Sequence, residues 1–260
     1  MQRRAIRAVL AALTLAPATA QTTPQGATPS APKPDASRLK TGVFIYQDLD
    51  RGQDAGKGKI TIRKLPGSDN YSFSAEIKGK FSQSWESIAT VDLQPVSAKL
   101  SFGEGKDARP AFDLKYHAGK VTGLVHPRDA VSSPASRAIE ASLPAGTVDQ
   151  RIDWAAVLAL DLETGKTFVF NVYDPSTGVS RVTAEVGPVE NVRVPAGSFE
   201  AYRIAYHVEK AGKVETYQVL ASGGPQHMLV REEFPNGLVT ELTKIGELSS
   251  AEAVASSIVR

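Results

Sequence analysis

The stretch NVRVPAGSFEAYRIAYHVEK (residues 191–210) sets the rhythm of the chain. A short extended run ends at Pro195-Ala196-Gly197, and a longer extended run follows at once. After the turn, Phe199, Ala201, Arg203, Ala205 and His207 fall on one face; Tyr202, Ile204, Tyr206 and Val208 fall on the other. Pro195 supplies a fixed φ and Gly197 a permissive one, which is what a tight reversal between two strands requires. The segment therefore reads as a structural hairpin marked by Pro195, Gly197 and Phe199, and not as an active site.

The same period of two recurs on both sides. Tyr71, Phe73, Ala75 and Ile77 share a face in YSFSAEI; Val96, Ala98, Leu100 and Phe102 do so in VSAKLSF, and Phe112, Leu114 and Tyr116 in AFDLKYH. One dry and one wet face is the pattern of antiparallel sheets. Breaks at Lys78-Gly79-Lys80, Ala118-Gly119, Ala211-Gly212 and Pro235-Asn236-Gly237 are hairpin-like. About a dozen strands are expected from such runs. One segment departs from the rule. TVDQRIDWAAVLAL reads as a helix opened by Thr147 with Gln150 three residues on, the capping-box spacing. Its Ile152, Ala155, Ala156 and Ala159 form a stripe beside Trp154, Val157 and Leu158. Residues 126–146 before it read as a long crossover loop. The expected fold is all-β: an antiparallel, barrel-like or strongly curved sheet with one packed α-helix. Its halves, 41–125 and 166–247, are joined by loop and helix over 126–162 in a single domain of 41–247, with a tail at 248–260.

The N-terminus has its own logic. Arg3, Arg4 and Arg7 precede a short apolar run from Ile6 to Leu15, and Ala18-Thr19-Ala20 fits the small-x-small pattern of a cleavage site. Residues 1–20 are thus expected to be a signal peptide cut after Ala20, sending the protein to the periplasm or outside the cell. Residues 21–40, rich in Pro, Ser, Thr and Ala, read as a disordered linker, because they offer too little apolar surface to offset ordering entropy. Without the leader, 27 basic residues face 28 acidic ones, a net charge of −1 with signs interspersed. That balance argues against nucleic-acid binding. No later apolar run approaches the roughly 18 residues of a transmembrane helix. The absence of Cys excludes disulfides, thiolate metal sites and lipidation at the cleavage site.

Motifs for chemistry are weak. Asp48, Asp50 and Asp54 in DLDRGQDAGKGK suggest a calcium loop, but Gly52, Gln53 and Lys59 stand where that loop needs a ligand, a glycine and a glutamate. A polar hairpin loop is the expectation. His117, His126, His207 and His227 have no metal-pair spacing. Ser198 lacks a nucleophile-elbow setting. Glu232, Glu233 and Glu241 could pair for acid–base work, but Arg231 and Lys244 nearby point to cross-strand ion pairs. Trp85 and the tyrosines could stack on a sugar or lipid; aromatics at alternate strand positions are otherwise core. Consecutive charges at Arg231, Glu232 and Glu233 place charge on both faces of one strand, against a membrane barrel. No metal and no cofactor is expected.

The order DWAAVLAL, KTFVFNVYD, VENVRVPAGSFEAYRIAYH, ETYQVLAS and HMLVREEFPNGLVTELTKI resembles the bacterial family known as domain of unknown function 3108. The likeness is strong over 148–246 and looser over 41–125. It departs where Tyr217 stands near the start of a late strand without a Trp. It implies a secreted or periplasmic β-rich fold and carries no activity or catalytic residue. The functional expectation is a noncatalytic domain whose concave face, through Tyr71, Phe73, Phe112, Tyr202 and Tyr206, binds a lipid, a polymer segment or an envelope protein. The alternatives are an envelope scaffold working through a surface edge, and a hydrolase using buried carboxylates or His207.

Overall fold

The computed structural model describes residues 33–80, 82–126, 136–210 and 212–248. The expected signal peptide, the linker up to residue 32 and the tail from 249 lie outside them. So do residues 127–135 of the expected crossover loop and Ala211 of one expected turn.

Fifteen strands among these residues form one sheet. The first arm holds β1 (Gly42–Asp50), β2 (Gln53–Lys64), β3 (Tyr71–Gly79), β4 (Gln83–Ala89), β5 (Pro95–Phe102), β6 (Arg109–His117), β7 (Lys120–Val125) and β8 (Arg137–Ser142). The second holds β9 (Val148–Asp149), β10 (Thr167–Asp174), β11 (Gly178–Val194), β12 (Gly197–Lys210), β13 (Lys213–Ser222), β14 (Leu229–Glu233) and β15 (Leu238–Gly246). Spatial order runs β8 to β1 and then β15 to β9. Each arm is therefore a meander, and the arms join where β1 pairs antiparallel with β15. Only the short β9–β10 pairing is parallel.

Local chemistry sets the reversals. Arg51 and Gly52 both take positive φ (52° and 80°), as do Ala118 and Gly119 (49° and 73°). Two left-handed central residues match the twist of the flanking strands, so each hairpin closes in two residues. The acidic segment DLDRGQDAGKGK is consequently strand on both sides of Arg51-Gly52, not the polar loop its composition suggests. Pro195 and Ala196 make the expected turn between β11 and β12, with Gly197 at φ 138°.

The expected crossover loop is shorter than its composition implies, since Arg137–Ser142 pairs with β7 as β8. The helix is also shorter. A 3₁₀ turn (Gln150–Ile152) leads into α1 (Asp153–Leu158), and the cap is Asp149, whose carboxylate accepts from the Arg151 amide at 2.9 Å. Thr147 instead donates to the Pro144 carbonyl at 2.7 Å. All six residues of α1 are buried. A helix buried all round is held by its neighbours rather than by its own propensity, which lets so short a piece persist.

The sheet curls about α1. Phe44, Phe73, Ile204, Tyr206, Val219 and Leu220 from both arms share one core with Ile152, Val157 and Leu158. The curl brings β6 against β9: Tyr116 donates to Asp149 at 2.5 Å, and the Arg151 guanidinium lies 4.7 Å above the Phe112 ring. No strand pairing closes the gap, and β8 and β9 remain the two edges of the sheet. Residues 35–40, expected as the end of the linker, are packed. Asp35 bonds the Ala159 carbonyl, Ala36 bonds that of Val91, and Leu39 pairs with His227, with Ala36 and Leu39 buried. Two apolar side chains anchored by backbone bonds suffice to order a short segment whose composition is otherwise that of a tether.

Candidate functional site

The interior of the curl is solid at one end and open at the other. The open end is a cavity of about 630 Å³. Its walls are strand residues of both arms: Tyr46, Ile60, Ile77, Trp85, Leu100 and Phe102 from the first arm, and Tyr217, Leu229 and Phe234 toward the second. Its floor is Gln150, Arg151, Asp153 and Trp154 at the start of α1. Gly58 faces Tyr46 and Ile77 across its two pairings and leaves room between them. Both tryptophans of the chain, Trp85 and Trp154, line this space. Tyr217 stacks on Phe234 with ring centroids 5.0 Å apart, and on its other side meets Tyr206 at 4.8 Å.

Carboxylates interrupt these apolar walls. Asp48, Thr240 and Glu232 occupy one rung of β1, β15 and β14, so all three side chains point into the curl. Thr240 donates to Asp48 at 2.6 Å. Glu232 has no hydrogen bond or ion pair among the described residues. Burial, with the charges of Asp153 and Asp48, pushes its carboxyl up to about 8. Asp153 is 8% exposed and accepts from the Trp154 amide at 2.7 Å. Burial outweighs that bond and pushes its carboxyl up to about 7. Tyr46 donates to the Leu229 carbonyl at 2.9 Å, tying β1 to β14 beneath the cavity.

The basic side chains at the site are already engaged. Arg151 bonds Asp149 at 2.7 Å and 3.1 Å and Asp174 at 2.8 Å. Burial alone would weaken its charge, but these two carboxylates outweigh burial and raise its pKa. Lys80 bonds Asp50 at 2.5 Å. Together with Tyr116, the Arg151 cluster pins β6 to β9 and β10, so its work is to hold the curl. Among the described residues no three His, Cys, Asp or Glu side chains are grouped to hold a metal ion.

The residues singled out in the sequence take other places. Tyr71, Phe73, Phe112 and Tyr206 are buried in packed core, and Tyr202 is half-buried beside His227. None of the five lines the cavity. They are large enough to fill the space between the arms, which is why they do so. Pro195 and Gly197 stay at the hairpin, and Phe199 packs on the core. Glu233 and Glu241 form the expected ion pairs, but with Arg203 (3.1 Å) and Arg231 (3.0 Å) and not with Lys244. His207 bonds Thr216 at 2.9 Å, away from the carboxylates of the cavity. His227 is buried and meets the Leu158 carbonyl at 2.6 Å, fastening α1 to the β13–β14 connection.

Glu232 is the residue that sequence reasoning misplaced. The register slips between Leu220 and Ala221, so Arg231 pairs with Leu220 but Leu229 with Ala221. This bulge lets Leu229 and Glu232, an odd number apart, both face the cavity. The run of charges Arg231-Glu232-Glu233 already required one of them to point inward. The inward one is Glu232.

A family model described as "Protein of unknown function (DUF3108)" matches residues 43–243. Three solved structures are similar to the chain. A beta-barrel-like protein of a domain of unknown function, DUF1849, from Brucella abortus is 13% identical with a TM-score of 0.49, covering 82% of this chain and 99% of its own. A Bacteroides fragilis protein described as exported and of YmcC-like fold is 12% identical with a TM-score of 0.37, covering 80% and 97%. A Parabacteroides distasonis protein described as a lipoprotein is 13% identical with a TM-score of 0.32, covering 80% and 96%. No curated protein shows significant sequence similarity to the chain.

Proposed function

The chain belongs to the DUF3108 family of proteins of unknown function, and we propose that it is a noncatalytic binding domain that takes a small organic ligand into the cavity between its arms. The observation that carries this reading is the cavity itself, about 630 Å³, with aromatic and aliphatic walls interrupted by polar and charged side chains. Pockets of that size and composition are the usual seats of small ligands. A hydrolytic reading draws on the same Asp153 and Glu232. Acid–base division needs two carboxyls pushed apart, one ionised and one protonated. Here burial pushes both upward, to about 7 and about 8. That favours binding over catalysis.

The basic and apolar pattern of residues 1–20, expected to be a leader, supports an extracytoplasmic setting for this domain. Among the described residues no helix is long and apolar enough to cross a membrane. N-terminal sequencing of the exported protein is expected to start at Gln21; a retained leader would place the domain elsewhere. For the ligand, native mass spectrometry of protein purified from its own compartment is expected to show an adduct that Gly58→Leu lacks. A wild-type chain free of adduct, and indifferent to a small-molecule screen read by its tryptophans, would overturn the proposal.

A further inference from the structure

Building on that reading of the cavity, we propose that its ligand is an organic cation: a primary ammonium on an apolar body, the ammonium seated at Asp153 and Glu232. Three observations converge on this chemistry. The first is charge. Arg151 and Lys80, which line the cavity, are held by Asp149, Asp174 and Asp50. Asp48, Asp153 and Glu232 form no ion pair among the described residues, although Arg151 acts on Asp153 at longer range. A buried carboxylate is stable only when a counter-charge or several donors accompany it. The fold leaves that position open on the cavity side.

The second observation is a donor and acceptor without use. The Tyr206 hydroxyl, in the core beside the cavity wall, is wholly buried and has no hydrogen-bond partner among the described residues. The Tyr206 ring meets that of Tyr217, which lines the cavity with Asp153 and Glu232; the pKa of each phenol is raised, first by burial and then by the charges of these carboxylates among others. Tyr46, on the facing strand, is raised by burial and by Glu232 as well. An ammonium has three N–H donors, enough for both carboxylates and the phenol oxygen of Tyr46 or Tyr217, which line the cavity. The third observation is the aromatic surface. Tyr217 and Phe234, stacked at 5.0 Å, both line the cavity, and aromatic rings attract a desolvated cation. An anionic ligand would meet Asp48, Asp153 and Glu232 while Arg151 and Lys80 are engaged by other carboxylates, and a neutral one would favour the protonated carboxyls over the ionised ones.

The test uses n-octylamine, with n-octanol and n-octanoate as neutral and anionic analogues of equal length. Trp85 and Trp154 both line the cavity, so intrinsic fluorescence reports its occupancy. Octylamine is expected to give a saturable change and to bind at least tenfold more tightly than either analogue at pH 8.5. An alkyl ammonium keeps its charge well above that pH, as lysine does at about 10.4. Its binding is expected to weaken at least tenfold by pH 6, as Asp153 and Glu232 take up protons. Glu232→Gln is expected to lower octylamine affinity at least tenfold and leave octanol unchanged; if that variant does not fold, the pH profile of the native chain decides. Octanol or octanoate binding as tightly as octylamine, or a flat pH profile, would overturn the cation while leaving the cavity as a binding site. No fluorescence response to any of the three would overturn both.

Discussion

The two ends of the curl differ in one respect that governs everything else: what their backbone rungs project inward. At the closed end, Phe44, Phe73, Ile204, Val219 and Leu220 meet α1 with essentially no exposed surface. At the open end two of the same strands, β1 and β13, project Asp48 and Tyr217 instead, and β14 adds Glu232. One sheet thus carries a core built for stability and, a few residues further along, a space lined by groups that cost stability. A fold that keeps unpaired carboxyls inside gains nothing from them as a fold, which is why the open end reads as a site.

The sharpest way to break the comparison is to cut the clamp between the ends. Arg151→Ala leaves the wholly buried Asp149 carboxylate without its cation and is expected to destabilise the domain by about 3–5 kcal/mol in denaturant titration. A matched pair of truncations then separates core from wall. Phe73→Ala, at 0% exposure, is expected to cost about 3–5 kcal/mol. Phe102→Ala, which enlarges the cavity that the side chain lines and gives up part of its packing on the core of β5 and β6, is expected to cost about 1–2 kcal/mol. Equal losses would mean that the open end is as tightly packed as the closed one.

A smaller effect comes from the carboxyls themselves. Glu232 and Asp153 have native pKa values raised to about 8 and about 7, above the ordinary carboxylate range near 4. The native chain therefore holds protons that the unfolded chain releases. Their contribution is full below pH 4, declines as pH rises toward 8, and is gone above it. Glu232→Gln stays neutral throughout, so it is expected to raise stability at pH 9 by on the order of 1–3 kcal/mol and to change little at pH 4.5. Thermal melts at the two pH values check this; a variant less stable at pH 9 would mean that the ionised carboxylate is satisfied. The smallest expected effect is Gly58→Leu. A Cβ there meets only Ile77, at 3.7 Å, so stability is expected to change by less than about 1 kcal/mol while ligand uptake is lost.

Much of this architecture was legible in the chain. Alternation in YSFSAEI and AFDLKYH located β3 and β6, Pro195-Ala196-Gly197 located the β11–β12 turn, and DWAAVLAL located α1. These signals are local, because a strand or a turn is specified by residues two to four apart. The candidate site was not legible to the same degree. Tyr71, Phe73, Phe112 and Tyr206 have the right parity for the interior and turn out to fill it. Tyr46, Asp48, Asp153 and Glu232 line the cavity, although no spacing in the sequence joins the first two to Asp153 or to Glu232.

What the sequence alone determined is the strand period, the turns, the helix and the segregation of apolar side chains to one face, all products of short-range sterics and solvation. What only the tertiary structure decided is where the curl stops being filled. That depends on the β1–β15 pairing of residues nearly 200 positions apart, on the bulge that turns Glu232 inward, and on the Arg151 clamp that fixes how far the sheet closes. Each is a sum of side-chain volumes and register over distant strands, and no local window of residues contains it.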